Sequence, residues 1–224
     1  MGESSAPIRV HCWSEWTEPK GVYPKGIHGD IAEYLNTVGG IEATTSQLDD
    51  PEQGLSEAAL LGVDVLVWFG HVRHKDVSDE AVARVVKAVK ERGMGFVPLH
   101  SSHYSRPLTT LWGTSGDLGG WREKGEWQRV EVRAPEHPVA EGVSEFVVPQ
   151  DEMYTEPFDI PEPDPLVFHS YFEGGEEFRS GCAWTIGKGR VFYFQPGHET
   201  YPVFRQPEIR KVLVNAVRWV ARKT

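Results

Sequence analysis

The chain has 224 residues, 39% hydrophobic and 25% charged, enough for one large folded domain and too apolar for a disordered chain. Its 23 Lys and Arg against 33 Asp and Glu leave a formal net charge of −10, which argues against a nucleic-acid footprint. No apolar run reaches the roughly 18–20 residues of a membrane span, residues 1–7 show no leader pattern, and two cysteines, Cys12 and Cys182, suit a reducing, cytoplasmic setting.

Ile8 to Trp13 alternates and reads as a first strand. After a Pro- and Gly-rich loop, Ile31, Tyr34, Leu35 and Val38 recur at helical spacing, and Gly39-Gly40 stops that helix. Residues 41–45 read as a second strand and 55–61 as a short helix. Residues 63–69 are almost continuously apolar, as a strand buried on both faces would be. Ser78 caps the clearest helix, whose stripe is Val82, Val85, Val86 and Val89 and whose stop is Gly93. Residues 95–99 form the next strand. The order β-α-β-α-β-α-β predicts a parallel sheet with helices on both faces.

From 105 to 177 the chain is dense in Trp, Pro, Gly and acids. This segment reads as an insertion that elaborates the sheet edge and covers one end, with strands at 127–133 and 166–172. Strands at 181–186 and 190–194 flank a Gly-Lys-Gly turn, and a last helix buries Ile209, Val212, Leu213, Ala216, Val217 and Val220. Nothing marks a second domain, so residues 1–224 read as one.

Nine histidines stand in this acidic chain. In open α/β sheets ligands bind outside the carboxyl ends of the strands. His71, His100 and His198 follow predicted strands there, His28 opens the first helix, and His74 and His103 lie three residues beyond His71 and His100. His11, His137 and His169 have no such placement. Capping a helix or bonding a backbone group is the ordinary alternative for each one singly. Imidazoles suit a divalent metal, zinc or similar, with His71, His100 and His198 as ligands. They equally suit metal-free acid/base work, and with no His-Glu-x-x-His in the sequence both readings stay open.

Residues 151–156, Asp-Glu-Met-Tyr-Thr-Glu, read most simply as a solvated acidic loop. Carboxylates beside aromatic faces also suit a sugar, which puts Glu152, Tyr154 and Glu156 among the candidates. Glu199 can orient His198 or act as a base itself. No Gly-x-Gly-x-x-Gly or Walker A sequence is present, so no nucleotide cofactor is expected. Trp112, Trp121 and Trp127 read as packing of the inserted segment ahead of contact with a sugar or a second subunit.

Five blocks together resemble the ThuA-like, or trehalose-utilisation, family: Trp-Phe-Gly-His-x-x-His-x-x-Val-x-Asp (68–79), Gly-Met-Gly-Phe-Val-Pro-Leu-His-Ser-Ser-His-Tyr-Ser (93–105), Glu-Met-Tyr-x-Glu-Pro-Phe-Asp-Ile-Pro-Glu-Pro (152–163), Phe-Arg-Ser-Gly (178–181) and Pro-Gly-His-Glu-Thr-Tyr-Pro (196–202). The resemblance implies the class I glutamine amidotransferase fold, a flavodoxin-like three-layer α/β/α sandwich. It also implies that the turn at 99–103 stands where amidotransferases carry a nucleophilic cysteine. No cysteine is present there, so glutaminase chemistry is not expected. Ser101 or Ser102 with His198 as base is the one nucleophilic substitute.

The resemblance further implies work on keto-sugars such as oxidised trehalose, with a sugar dehydrogenase as partner in the same pathway. Isomerisation through an enediolate needs a base, an acid and a group that holds the oxygens. The residues expected to supply them are His198, Glu199, His100 and Glu152, with His28, His103, Tyr154, Glu156 and Ser101 contacting the sugar. Cleavage of a keto-glycoside and a non-catalytic sugar-binding or assembly module, including a homo-oligomer, are the alternatives. No nucleic-acid or membrane partner is expected.

Overall fold

The computed structural model describes residues 6–222. The reading of residues 1–7 as leader-free rests mainly on residues 1–5, which lie outside the described residues. Among the described residues nine strands form one sheet: β1 (Ile8–Ser14), β2 (Ile41–Gln47), β3 (Val65–Phe69), β4 (Gly95–Leu99), β5 (Gly120–Val132), β6 (Phe146–Thr155), β7 (Leu166–Phe172), β8 (Glu177–Ile186) and β9 (Gly189–Phe194). Their order is β2-β1-β3-β4-β9-β8-β7-β5-β6. The pairs from β2 to β9 are parallel. Those from β9 to β6 are antiparallel.

Helices cover both faces. Helices α1 (Gly26–Leu35) and α5 (Pro207–Val220) pack one core with Val65, Val67, Val97 and Phe194. Helices α2 (Glu57–Leu60), α3 (Asp79–Lys87) and α4 (Arg106–Trp112) pack the other with Leu66, Trp68 and Phe96. Successive strand residues point to opposite faces, so a strand covered on both sides must be apolar throughout. Accordingly β3 and β4 are buried along their whole length.

The groups expected to start and stop the clearest helix are in place. Ser78 Oγ accepts the N–H of Ala81 at 3.2 Å, and Gly93 turns the chain at φ 82°. Helix α1 ends earlier than its apolar spacing suggests, at Leu35, and Val38 packs from the turn that follows. Helix α4 was not legible in the Trp- and Pro-rich segment. Pro107 sits in its first turn, where the missing N–H does no harm, and Gly113 ends it at φ 75°.

The inserted segment supplies β5, β6 and β7 at one end of the strand order, and one part of it differs from its sequence reading. Residues 151–155 are not a solvated loop but the end of strand β6, where Asp151, Glu152, Met153 and Tyr154 are buried. The β5–β6 pairing slips in register between Arg122 and Gln128. Such bulges bend a strand and increase its twist. The bent hairpin brings Asp151 and Glu152 onto the loops that leave β9 and β4.

Both cysteines lie on strands and are fully buried, Cys12 on β1 and Cys182 on β8. Among the described residues no helix is long and apolar enough to cross a membrane.

Candidate active site

Three strands that point the same way end side by side, and each delivers an imidazole. His71 follows β3 by one residue, His100 follows β4 directly, and His198 lies in the loop after β9. Their ring centroids are 5.2 Å (His71–His198), 5.3 Å (His100–His198) and 5.8 Å (His71–His100) apart. Glu199 arrives with His198, and Glu152 and Tyr154 come from β6.

His100 occupies the sharpest turn. Its backbone is left-handed, φ 51°, which a residue with a bulky side chain seldom adopts. Tyr193 pins that turn by donating its hydroxyl to the His100 carbonyl at 2.9 Å. The ring is fully buried and both nitrogens face acceptors: Nδ1 meets the Gln195 carbonyl at 2.9 Å and Nε2 meets Glu152 Oε2 at 3.0 Å. Burial works against a charge on this ring. The hydrogen bond and charge of Glu152, with Asp151 and Glu199 behind it, outweigh burial and raise its pKa to about 9. Glu152 shows the reciprocal effect. Burial would raise it, yet His100, then His198 and His71, hold it down at about 2. The pair is therefore an imidazolium and a carboxylate at neutral pH.

His198 is neutral there, because burial and the neighbouring His100 charge both lower its pKa. The Thr200 N–H donates to Nδ1 at 3.2 Å, so the neutral ring carries its proton on Nε2. That Nε2 is buried with no hydrogen-bond partner among the described residues. Its nearest carboxylate oxygens are Glu123 Oε1 at 3.4 Å and Glu152 Oε2 at 3.9 Å. Glu199 bonds His71 Nδ1 through Oε1, and its buried Oε2 makes no hydrogen bond and lies 3.3 Å from His198 Nδ1. Burial would raise the Glu199 pKa, but the His71 hydrogen bond and the imidazole charges lower it, so it is ionised. Tyr154 bonds Ser101 Oγ at 2.7 Å and lies 3.2 Å from His100 Nε2, and burial keeps its hydroxyl protonated.

The other candidates lie outside this cluster. His28 is held by Ser14 Oγ at 2.7 Å, stands edge-on to Trp16 and lines a separate cavity of about 520 Å³ between α1 and β2. Burial lowers its pKa to about 4. Its place at the start of α1 sets it beside the edge strand rather than among the central ones. His103 is buried behind Tyr154, bonds the Gly116 carbonyl at 2.8 Å and has its pKa lowered to about 3 by burial. His74 lies 3.4 Å from Glu15. Glu156 is clamped by the Arg179 guanidinium at 2.9 and 3.0 Å. Ser101 pairs with Tyr154, and Ser102 Oγ serves backbone groups of Trp68 and Gly70, so neither hydroxyl bonds a histidine. Of the tryptophans, Trp112 packs against Phe158, Trp184 and Tyr193, whereas Trp121 is 66% exposed.

Four polar residues around the cluster carry no sequence signal strong enough to find them: Glu15, Asp151, Glu123 and Gln195. Glu15 had the best one, a carboxylate at the carboxyl end of the first strand.

A parallel sheet with helices on both faces and an antiparallel extension make an α/β fold like that of glutamine amidotransferases. A glutamine amidotransferase from Thermotoga maritima has this fold, with TM-score 0.57 and 14% identity over 96% of this chain and 99% of that one. Residues 16–220 match the family model ThuA, trehalose utilisation, and the chain belongs to that family. Similar solved structures include a ThuA-like protein from Bacteroides uniformis (TM-score 0.73, 16% identity, 98% of this chain and 94% of that one). Another comes from Parabacteroides merdae (TM-score 0.74, 16% identity, 97% and 91%). At such identities the likeness speaks for the fold. No curated protein matches the sequence.

Proposed function

We propose that the chain isomerises a keto-sugar, of the kind an oxidised trehalose-like disaccharide provides, by acid/base transfer through an enediolate. The observation that carries this reading is the convergence of His71, His100 and His198 with Glu152 and Glu199 at one set of strand ends. A hydrogen alpha to a ketone is acidic enough for a carboxylate to remove when the developing oxyanion is held by fixed donors. Glu199 Oε2, ionised, buried and free of hydrogen bonds, is the base. The unpartnered Nε2–H of His198 and the Tyr154 hydroxyl are the donors, with the charge of the His100 imidazolium beside them. Breaking the C–H bond passes its proton to Glu199 and leaves the former carbonyl oxygen as the enediolate oxyanion. The neighbouring hydroxyl passes its proton to that oxygen and becomes the new carbonyl as Glu199 returns its proton to the former carbonyl carbon, which gives the isomeric ketone and restores Glu199. Glu152 keeps His100 charged throughout.

A second reading has its own support. His71, His100, His198 and Glu199 each offer a ligand atom, all within 4.8 Å of one another, and Glu199 Oε2 and His198 Nε2 are orphaned and buried. Three imidazoles and a carboxylate fit a divalent cation such as zinc in number and type. Bound there, such an ion would supply Lewis acidity toward the sugar oxygens. Glu152 would then be the carboxylate left to carry protons. The Thr200 N–H on His198 Nδ1 ranks this reading second, because it occupies one of the two nitrogens that His198 could offer a cation.

One experiment addresses both. The protein is incubated with a 3-keto-disaccharide in deuterated water, with and without prior chelation. Solvent deuterium alpha to the ketone, together with a positional isomer, is expected. Loss of both after chelation selects the metal-assisted form. Cleavage products would replace isomerisation by elimination alpha to the ketone. Recovery of intact, undeuterated sugar under both conditions would end the enzymatic reading and leave a sugar-binding module.

A further inference from the structure

Two buried carboxylates outside the cluster hold the backbone of the loops that carry its histidines. Glu15 follows β1 and is 1% exposed; its Oε2 accepts the N–H of His71, Val72 and Arg73 at 2.9, 2.8 and 2.8 Å. Asp151 on β6 is fully buried; its Oδ1 accepts the N–H of His198 at 2.9 Å and of Glu152 at 2.9 Å. Its Oδ2 accepts the N–H of Gly197 at 3.0 Å. Successive backbone N–H groups that converge on one point make a nest for an anion. In both loops the anion is a side chain of the same protein.

The surroundings are built to this arrangement. Gly70 lets the chain pass close over Glu15, since a Cβ there would stand 2.8 Å from Glu15 Oε1 and 3.2 Å from Trp68 Nε1. The N–H of Gly70 goes to Ser102 Oγ at 2.9 Å. Every backbone donor from 70 to 73 is therefore taken by a side chain, and this stretch lies in neither helix nor strand. Residues 195–198 are likewise outside both. Without regular structure, little else fixes the backbone from which His71 and His198 project.

We propose that Glu15 and Asp151 are positioning residues, which set the His71 and His198 rings against His100 by gripping the main chain beneath them. The proposal rests on the reading of that cluster as the working centre. The grip is mutual. A buried carboxylate stripped of its donors is strongly disfavoured, so loop and carboxylate order one another, and charge makes these bonds stronger than a neutral acceptor could. Neither group faces the cluster with a free oxygen: the unbonded Glu15 Oε1 points to His74, 3.4 Å away.

The long-range ¹⁵N–¹H spectrum of the imidazoles in the whole chain tests this without substrate or metal. In Glu15→Ala the ring signals of His71 should move, and in Asp151→Ala those of His198, while His11, His137 and His169 stay in place. Val85→Ala, a cavity in the core of α3, controls for general loosening. Glu15→Gln keeps an acceptor oxygen without the charge and should shift His71 less, and it serves if the alanine variant does not fold. In the exchange reaction above, kcat of Glu15→Ala should fall on the order of 100-fold with KM little changed, as ring misplacement of about 1 Å would cause. An unmoved His71 in both Glu15 variants, or an equal movement in Val85→Ala, overturns the proposal. If the wild type shows no exchange at all, the functional reading fails, and the ring spectrum still decides the positioning role.

Discussion

The two halves of the sheet build the site in different ways. In the parallel half, β3, β4 and β9 stop at the same edge, and the loops that leave them carry the histidines close to each strand end. Geometry there is local, because a strand end fixes where its next residue goes. In the antiparallel half the contributing residues, Asp151, Glu152 and Tyr154, lie within β6, at the far edge of the strand order. They reach the histidines because a bulged ribbon bends over the strand ends. The parallel half presents imidazoles, and the antiparallel half supplies the charge that decides their protonation.

Removing the charge that joins the halves should have the largest effect. Glu152→Ala leaves the buried His100 without its counter-ion. Breaking a buried pair in this way destabilises by about 3–5 kcal/mol, and the deuterium exchange should be lost with it. Urea unfolding measures the first effect and mass spectrometry of recovered sugar the second. The sign with pH follows from both partners. His100 is raised from 6.5 to about 9, so its contribution is complete below pH 6.5 and fades as pH rises through about 9. Glu152 is lowered from 4.5 to about 2, so its contribution is complete above pH 4.5 and fades toward pH 2. The stability gap between wild type and Glu152→Ala should be widest between pH 4.5 and 6.5 and narrow toward pH 9. A gap that stays constant to pH 9 would mean that the pair is not charged.

Trp112→Ala should affect stability and leave chemistry alone. Its indole is 8% exposed against Phe158, Trp184 and Tyr193, and truncation should cost about 3–5 kcal/mol. Loss of exchange at a temperature where the variant is folded would draw this core into the site. Glu156→Gln should lower stability by less than about 1 kcal/mol, because its bond to Arg179 is half-exposed. Its exchange rate should be unchanged, and a large loss would return Glu156 to the substrate. Trp121→Ala should change stability by no more than about 0.5 kcal/mol, being exposed. A weakened affinity for disaccharide in that variant would give the antiparallel half a part in binding.

The same division governs how much the sequence discloses. Strand β1 announces itself through alternation and β3, β4 and β9 through apolar runs, and the rule for parallel sheets then places His71, His100 and His198 together. His28 stands apart from them because the rule addresses strand ends and not the depth of a helix start beside an edge strand. The antiparallel half is read less well. The first half of β5, Gly120 to Glu126, is half-exposed, charged and interrupted by Gly125 at φ 66°, so it shows no alternation. Asp151 and Glu152 look like solvated acids because their partners, the N–H groups of Gly197 and His198 and the ring of His100, are remote in sequence. Burial of a carboxylate is decided by such partners, and local composition does not contain them.

The burial of both cysteines has a practical side. Burial pushes the Cys12 and Cys182 thiols far up, and neither is exposed, so a thiol-directed dye finds no target in the folded chain. Val72 is 66% exposed and sits between His71 and Arg73, in the backbone that Glu15 holds. A Val72→Cys substitution would therefore take a fluorophore or spin label at one position, with no background to subtract. That label would report the ordering of the His71 loop in real time as a sugar or a metal ion arrives.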